Sequence, residues 1–175
     1  PGQRPVVSIG NSAGLLGWPA ARGDWVRPGL ALYGISPFPE QVGADIGLLP
    51  AMTLESSVIA VRHVPRGETV GYGGTWRAER ESTIAILAAG YGDGVPRHLA
   101  SGAPVLFAAG QGTLAGRVSM DMIAVDVTGL PGVRTGDRAV LWGTNLPVER
   151  VAERAGTIPY ELVCGVSQRV PLELR

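Results

Sequence analysis

The feature that most limits the fold of this chain is a series of short apolar runs, separated by turn residues, that begins at Met52. The chain of 175 residues holds 26 glycines and 14 prolines, so turns are frequent. Many short strands at turn-separated intervals are typical of an all-β sandwich or barrel. The strand candidates are Met52–Arg62, Thr69–Tyr72, Thr83–Ala88, Val105–Ala108, Met122–Val127, Arg138–Leu141 and a closing Arg169–Leu172.

The first 36 residues follow a different rhythm. Pro5–Ile9 predicts a short buried strand, and a helix that Asn11 or Ser12 can cap follows it. Leu30–Gly34 predicts a second strand, so this part indicates an α/β unit. Residues 37–50 are rich in proline and glycine and predict a linker. Two helices are expected further on, over Val148–Ala155 and from Pro159.

Composition excludes several classes of partner. The chain has 15 basic and 15 acidic residues and no basic run, which argues against a nucleic-acid ligand. No apolar run is long enough to span a bilayer, and no signal-peptide pattern stands at Pro1. The single cysteine, Cys164, excludes an internal disulfide and fits a reducing compartment such as the cytoplasm. Because no initiator methionine is present, a fragment of a longer protein is expected.

The richest motif for chemistry follows the apolar run that ends at Leu87. It places Tyr91 at a strand end between two glycines, with Asp93 and Arg97 just beyond. Glycines there let the chain turn sharply and let another molecule approach closely. From this motif alone, a tight turn with an incidental aromatic side chain remains an equal alternative.

Other polar residues carry weaker signals with simple structural alternatives. Ser12 stands at a helix start, where it can bind phosphate or merely cap the helix. Arg27 can be a surface residue, Asp121 a turn former and Glu161 a complement to a helix dipole. The sequence contains no metal-ligand cluster, no glycine-rich nucleotide motif and no serine elbow.

Taken in order, eight motifs resemble the C-terminal half of bacterial alanine racemase, from about Val7 to Val170. Each motif alone is weak, but their order is specific. They are Asn11–Ala13, Asp24–Gly29, Leu32–Gly34, Gly71–Gly74, Gly90–Arg97, Gly116–Met122, Leu141–Gly143 and Gly156–Glu161.

The resemblance implies a mainly β chain with a β-barrel-like C-terminal domain, residues 49–175. Before it, residues 1–48 would be the last part of an α/β barrel of the (β/α)8 type. In that family pyridoxal 5'-phosphate is attached to a lysine on the barrel's first strand. This chain has no lysine, since all its 15 basic residues are arginine. It is therefore expected to be a truncated racemase without the attachment residue.

The resemblance also implies a set of cofactor-binding residues. Ser12 would donate its hydroxyl to the cofactor phosphate, beside the backbone N–H groups of Gly29 and Leu30 and the hydroxyl of Tyr160. Arg27 would face the pyridine nitrogen and keep it unprotonated, because a guanidinium does not release its proton.

The catalytic and substrate-binding residues come from the same resemblance. Tyr91 would be the base that takes the Cα proton of L-alanine, with the missing lysine serving the other face. Met120, through its backbone, and Asp121 would lie near the substrate carboxylate. Arg117 and Tyr160 would lie near the entrance. No metal is implied.

The family makes D-alanine, a peptidoglycan precursor, as a cytoplasmic homodimer in which Tyr91 and Met120 would act in the partner's site. On its own this chain is expected to be inactive. Two alternatives stay open: a non-catalytic β-domain dimerisation module, and part of a racemase with broader specificity that includes serine.

The absence of lysine leads to a first prediction. When its N-terminal amine is blocked, the 175-residue chain should retain no pyridoxal phosphate after borohydride reduction, because no side-chain amine is present to form the reducible bond. Mass spectrometry of the reduced protein is the measurement. A stoichiometric adduct on any side chain would contradict the prediction.

Overall fold

The computed structural model describes residues 3–174. By their internal contacts these residues form two compact units, one up to Met52 and one from Thr53 onward. Each unit contains its own secondary structure.

The first unit is built on a pair of short parallel strands, β1 (Gly10–Asn11) and β2 (Val26–Arg27). Helix α1 (Ser12–Gly17) follows β1, and helix α2 (Gly29–Leu32) follows β2 after Pro28. Both helices therefore begin at the same edge of the pair. The Asn11 side chain accepts a hydrogen bond from the Gly14 backbone N–H at 2.9 Å, which confirms the predicted cap. Short 3-10 helices lie at Pro19–Ala21 and Gly43–Ile46.

Two strand predictions in this unit are wrong. Pro5–Ile9 is an irregular, exposed segment, and Val6 is 69% exposed. Its apolar residues predict a buried strand, but the hydrogen-bonded pairing with β2 begins only at Gly10. Leu30–Gly34 was predicted as a strand, yet its first residues lie in α2. A short apolar run does not separate a strand from a helix by periodicity, and leucine and alanine favour the helix.

The segment predicted as a linker, residues 37–50, returns to the first unit. Just beyond it, the backbone N–H of Ala51 donates to the carbonyl of Tyr33 at 3.1 Å. Gly34 has a φ of +76°, and a Cβ built there would lie 1.8 Å from the carbonyl oxygen of Leu49. Only glycine fits this position, because a side chain there would meet backbone that cannot move aside.

The second unit contains a closed antiparallel barrel. In chain order the strands of this unit are β3 (Leu54–Val64), β4 (Thr69–Val70), β5 (Trp76–Arg77), β6 (Ser82–Leu87), β7 (Pro104–Phe107), β8 (Gly110–Leu114), β9 (Ile123–Asp126) and β10 (Arg138–Trp142). Around the barrel the strand order is β10-β3-β6-β9-β8-β7, and β7 pairs with β10 to close the ring. A separate two-stranded sheet joins β4 and β5. The predicted mainly β fold is thus confirmed.

The barrel interior is filled by alternate side chains of its strands. In β9, Ile123 and Val125 are buried while the residues between them are less so, the pattern expected when one face of a strand points inward. Leu87, at the end of β6, is fully buried. A small barrel of this kind is a packed core with no channel.

Strand β8 was missed because its glycines read as turns. Gly110 pairs with Phe107 across a tight hairpin, so it is a strand residue at the turn's edge. Gly112 lies inside the ladder, where a Cβ would be 2.8 Å from the carbonyl oxygen of Asp126. A glycine within a strand marks such a close approach of neighbouring backbone.

Two helices end the second unit, as predicted. Helix α3 (Val148–Ala155) packs its apolar face inward and ends at Gly156, whose φ is 66°. Helix α4 (Pro159–Gly165) begins with a proline. The predicted closing strand Arg169–Leu172 is irregular backbone instead, and the Arg169 side chain is bound to other loops. Among residues 3–174 the structure has no helix of the length and apolarity needed to cross a bilayer.

The barrel core leads to a stability prediction. Leu87→Ala should lower the free energy of unfolding by about 2–5 kcal/mol, because it leaves a cavity at a fully buried position. Ile59→Ala is the matched control, since Ile59 lies on β3 and is 45% exposed, and it should cost less than about 1 kcal/mol. Urea denaturation measures both. Equal losses would contradict the inward orientation of Leu87.

Candidate functional site

Tyr91 lies just beyond β6, in a segment of residues 88–94 that we call the Tyr91 loop. Tyr91–Asp93 form one turn of 3-10 helix, and the phenol is 41% exposed. The Asp93 carboxylate accepts a hydrogen bond from the backbone N–H of Gly90 at 2.8 Å and so closes the turn. The backbone under the tyrosine is thereby fixed while its ring remains accessible.

A second loop, residues 119–122, lies against the first and is called the Met120 loop. The backbone N–H of Tyr91 donates to the Ser119 carbonyl at 2.9 Å, and that of Gly92 donates to the Met120 carbonyl at 2.8 Å. A Cβ on Gly90 would lie 2.3 Å from both carbonyl oxygens, so glycine permits this approach. The structure therefore brings Tyr91, Met120 and Asp121 together.

Arg169 connects the two loops through their side chains. Its Nε lies 2.9 Å from a carboxylate oxygen of Asp93, and its Nη2 lies 2.6 Å from a carboxylate oxygen of Asp121. The hydrogen bond with Asp121, followed by the charge of Asp93, raises the pKa of the Arg169 guanidinium above its ordinary value. Arg169 is thus a fixed positive charge beside two negative ones.

Arg169 was missed as a site residue by sequence reasoning. The sequence predicts a closing strand at Arg169, and the arginine that its motif places close to Asp93 is Arg97. Arg169 and Asp121 are 48 positions apart, and no motif or spacing links such a pair. Only the folded arrangement of the loops reveals it.

Arg117 and Tyr160 lie in neighbouring segments, Arg117 two residues before the Met120 loop and Tyr160 in α4. Arg117 lines a groove of about 390 Å³ together with Arg97 and His98. Tyr160 is the second residue of α4, and the far end of that helix contacts the Tyr91 loop, since a Cβ on Gly94 would lie 2.4 Å from the carbonyl oxygen of Gly165.

In the first unit, Ser12 opens α1 and is almost fully buried, at 3% exposure. Its hydroxyl oxygen accepts a hydrogen bond from the backbone N–H of Ala31, in α2, at 3.1 Å. This contact joins the beginnings of the two helices and brings Ser12 near Gly29 and Leu30. Because the oxygen accepts this bond, the Ser12 hydroxyl can still donate its own proton to another acceptor.

Arg27 is the last residue of β2, opposite Asn11 in the parallel register. Its Nη1 donates to the backbone carbonyl of Ser8 at 2.7 Å and to the Ser8 hydroxyl at 2.8 Å. These bonds hold the guanidinium against Ser8, which precedes β1.

The candidate residues thus fall into two groups. The group in the first unit is Ser12, Arg27, Gly29 and Leu30. The group in the second unit is Tyr91, Arg117, Met120, Asp121 and Tyr160.

In the described part of the chain, no group of three or more histidine, cysteine or carboxylate side chains is arranged to hold a metal ion.

Family models match most of the chain. The alanine racemase C-terminal domain matches residues 51–174, and the alanine racemase N-terminal domain matches residues 2–37. Among curated relatives, the alanine racemase of Yersinia pestis (biovar Antiqua, strain Angola) is 52% identical over 166 residues, which are 95% of this chain and 46% of the relative. That of Vibrio cholerae is 51% identical over 165 residues, with 94% and 46% covered.

Solved structures give the same result. The biosynthetic alanine racemase of Pseudomonas aeruginosa matches with a TM-score of 0.91 at 50% identity, over 94% of this chain and 46% of that one. The alanine racemase of Bartonella henselae, solved with covalently bound pyridoxal phosphate, matches with a TM-score of 0.82 at 34% identity over 95% and 46%. The chain spans about half the length of the relatives it matches. By both family models and by these likenesses, the chain belongs to the alanine racemase family.

Proposed function

We propose that this chain supplies the tyrosine base and part of the cofactor pocket of a pyridoxal-phosphate-dependent enzyme that interconverts L- and D-alanine. The observation that carries the proposal is the way Tyr91 is held. The backbone N–H groups of Tyr91 and Gly92 bind the Met120 loop, while the phenol of Tyr91 stays exposed. Membership of the alanine racemase family supports the substrate and the reaction.

The donors at the start of α1 and α2 fit a phosphate group. Ser12 is buried, and its oxygen accepts the N–H of Ala31, which leaves its hydroxyl proton for a second partner. We assign that acceptor to the cofactor phosphate, with the backbone N–H groups of Gly29 and Leu30 and the hydroxyl of Tyr160 as further donors. Phosphate sites formed by strand-to-helix loops and a short extra helix are frequent in (β/α)8 barrels.

Arg27 fits the other end of the cofactor. Its guanidinium is held by Ser8 and donates hydrogen bonds only, so a pyridine nitrogen facing it would accept a bond and stay unprotonated. When bound, pyridoxal phosphate withdraws electrons from the substrate Cα and makes its proton acidic. By keeping that nitrogen unprotonated, Arg27 would weaken the withdrawal and favour return of the proton over side reactions.

Tyr91 takes the Cα proton of L-alanine, and in the reverse direction it gives a proton to the same face of Cα, which forms L-alanine. A general base must lie within hydrogen-bond reach of its proton, and a fixed backbone reduces the cost of holding it there. A tyrosine base at neutral pH also needs a positive charge nearby. The opposite face of Cα is served by a lysine that this chain lacks.

The remaining residues hold the substrate. The Met120 backbone and Asp121 lie near the alanine carboxylate, and Arg117 and Tyr160 near the entrance. In the homodimer that we propose, Tyr91 and Met120 act in the partner's site. The product, D-alanine, serves as a peptidoglycan precursor, and the enzyme is cytoplasmic.

We propose a domain boundary between residues 48 and 49. Residues 1–48 belong to the cofactor-binding barrel and residues 49–175 to the β domain. The division of contacts after Met52 and the family models over residues 2–37 and 51–174 support this boundary.

The test is a chimera in which this chain replaces the matching half of the Yersinia pestis racemase, so that the lysine-bearing half is restored. Tyr91→Phe removes only the phenol oxygen and should lower kcat at least about a hundredfold, the usual contribution of a general base. Exchange of the α-proton of L-alanine should collapse, while exchange from D-alanine partly persists. Proton NMR in D₂O follows both.

Tyr33→Phe is the matched control, because Tyr33 is also 41% exposed and lies outside the proposed machinery. It should leave kcat within about twofold, as surface substitutions usually do. Near-normal turnover of the Tyr91 variant would remove Tyr91 from the mechanism. Equal loss of exchange on both faces, with weakened cofactor binding, would give Tyr91 a purely structural role. An unsubstituted chimera that folds without activity would leave only the dimerisation module.

A further inference from the structure

We propose that Arg169 is a positioning residue for the racemase site, holding the Tyr91 loop against the Met120 loop and neutralising Asp121 beside the substrate carboxylate. The proposal rests on the function proposed above for Tyr91 and Met120. Its geometric part, the connection of the two loops, is independent of that function.

The connection is made by one planar side chain that binds two loops. Arg169 approaches Asp93 through Nε at 2.9 Å and Asp121 through Nη2 at 2.6 Å. A guanidinium can bind two carboxylates at once because its N–H groups point in fixed directions, which a lysine ammonium cannot reproduce.

Each of the two carboxylates is linked to the backbone segments that hold Tyr91 in place. Asp93 closes the turn of the Tyr91 loop through its bond from the Gly90 N–H. Asp121 follows Met120 directly, and the Met120 carbonyl accepts the Gly92 N–H at 2.8 Å. Movement of either carboxylate therefore alters the two N–H bonds that seat Tyr91.

Gly92 lets the guanidinium come this close. A Cβ on Gly92 would lie 2.6 Å from Nη1 of Arg169, well inside contact distance. The guanidinium therefore lies over the residue next to Tyr91. The Asp93 side chain is only 13% exposed, so its charge is partly sheltered from water and depends on this partner.

The charge of Asp121 gives Arg169 a second task. Asp121 is exposed, and a bare carboxylate there would repel the carboxylate of alanine. Pairing with Arg169 removes that repulsion and leaves the Met120 loop able to receive an anion. A residue with a purely structural role would have no such effect on substrate affinity.

The first test follows amide exchange in the 175-residue chain by NMR. Arg169→Gln should accelerate exchange of the Tyr91 and Gly92 amides about fivefold, the scale that a networked surface ion pair supports. Arg138→Gln is the control, because Arg138 forms an exposed pair with Glu55 on the barrel and lies in β10, outside the sequence of both loops. It should leave both amides unchanged.

Amides of β6 report whether the barrel stays folded in each variant. If Arg169→Gln unfolds the barrel, Arg169→Lys preserves the charge and should still accelerate both amides. Unchanged exchange in either folded variant, or equal acceleration in Arg138→Gln, would overturn the connection of the loops.

The second test separates charge from shape in the chimera. Arg169→Gln should raise the KM for alanine about fivefold to tenfold, since the carboxylate of Asp121 then repels the substrate. Adding Asp121→Asn should bring the KM back most of the way. A KM that does not rise, or that the second substitution does not restore, would overturn the neutralising role. An inactive unsubstituted chimera would count against the proposed function, while the exchange test would still decide the connection of the loops.

Discussion

Strand β6 is the element on which the rest of the site depends, because both of its edges are paired. It is bound to β3 on one side and to β9 on the other, so its end cannot shift without breaking two ladders. Tyr91 lies four residues beyond Leu87, the last residue of this strand. A closed barrel has no unpaired edge strand whose end can fray. The backbone that leads to Tyr91 is therefore held in a fixed position.

Much of the barrel could be predicted from the sequence, since local signals coincide with its fold. Helix α3 has the predicted bounds because an apolar stripe and a following glycine define it locally. The strands predicted at Pro5–Ile9 and Arg169–Leu172 are irregular backbone, because no local signal decides whether these runs pair. Whether an apolar run becomes a strand depends on a distant partner, and a single sequence does not name that partner.

The residues of the candidate site show the same contrast between local signals and distant partners. Tyr91, Met120 and Asp121 could be predicted because each lies in a contiguous motif, and the structure brings them together through two backbone bonds. Arg169 could not be predicted, since its two partners lie in separate loops and its own neighbours form no motif. Resemblance to a family identifies residues that lie within its motifs. A residue such as Arg169, which holds two motifs together, is identified from the folded structure.

The basic residues of this chain limit which groups can carry a proton. Arg27, Arg117 and Arg169 are all guanidinium groups, and these stay charged throughout the physiological pH range. In the proposed site they would orient anions and hold loops without exchanging protons with the substrate. In the mechanism proposed above, the group of this chain that transfers a proton is the phenol of Tyr91. The proposed racemisation requires a proton carrier on each face of Cα, and this sequence contains no lysine that could serve the second face.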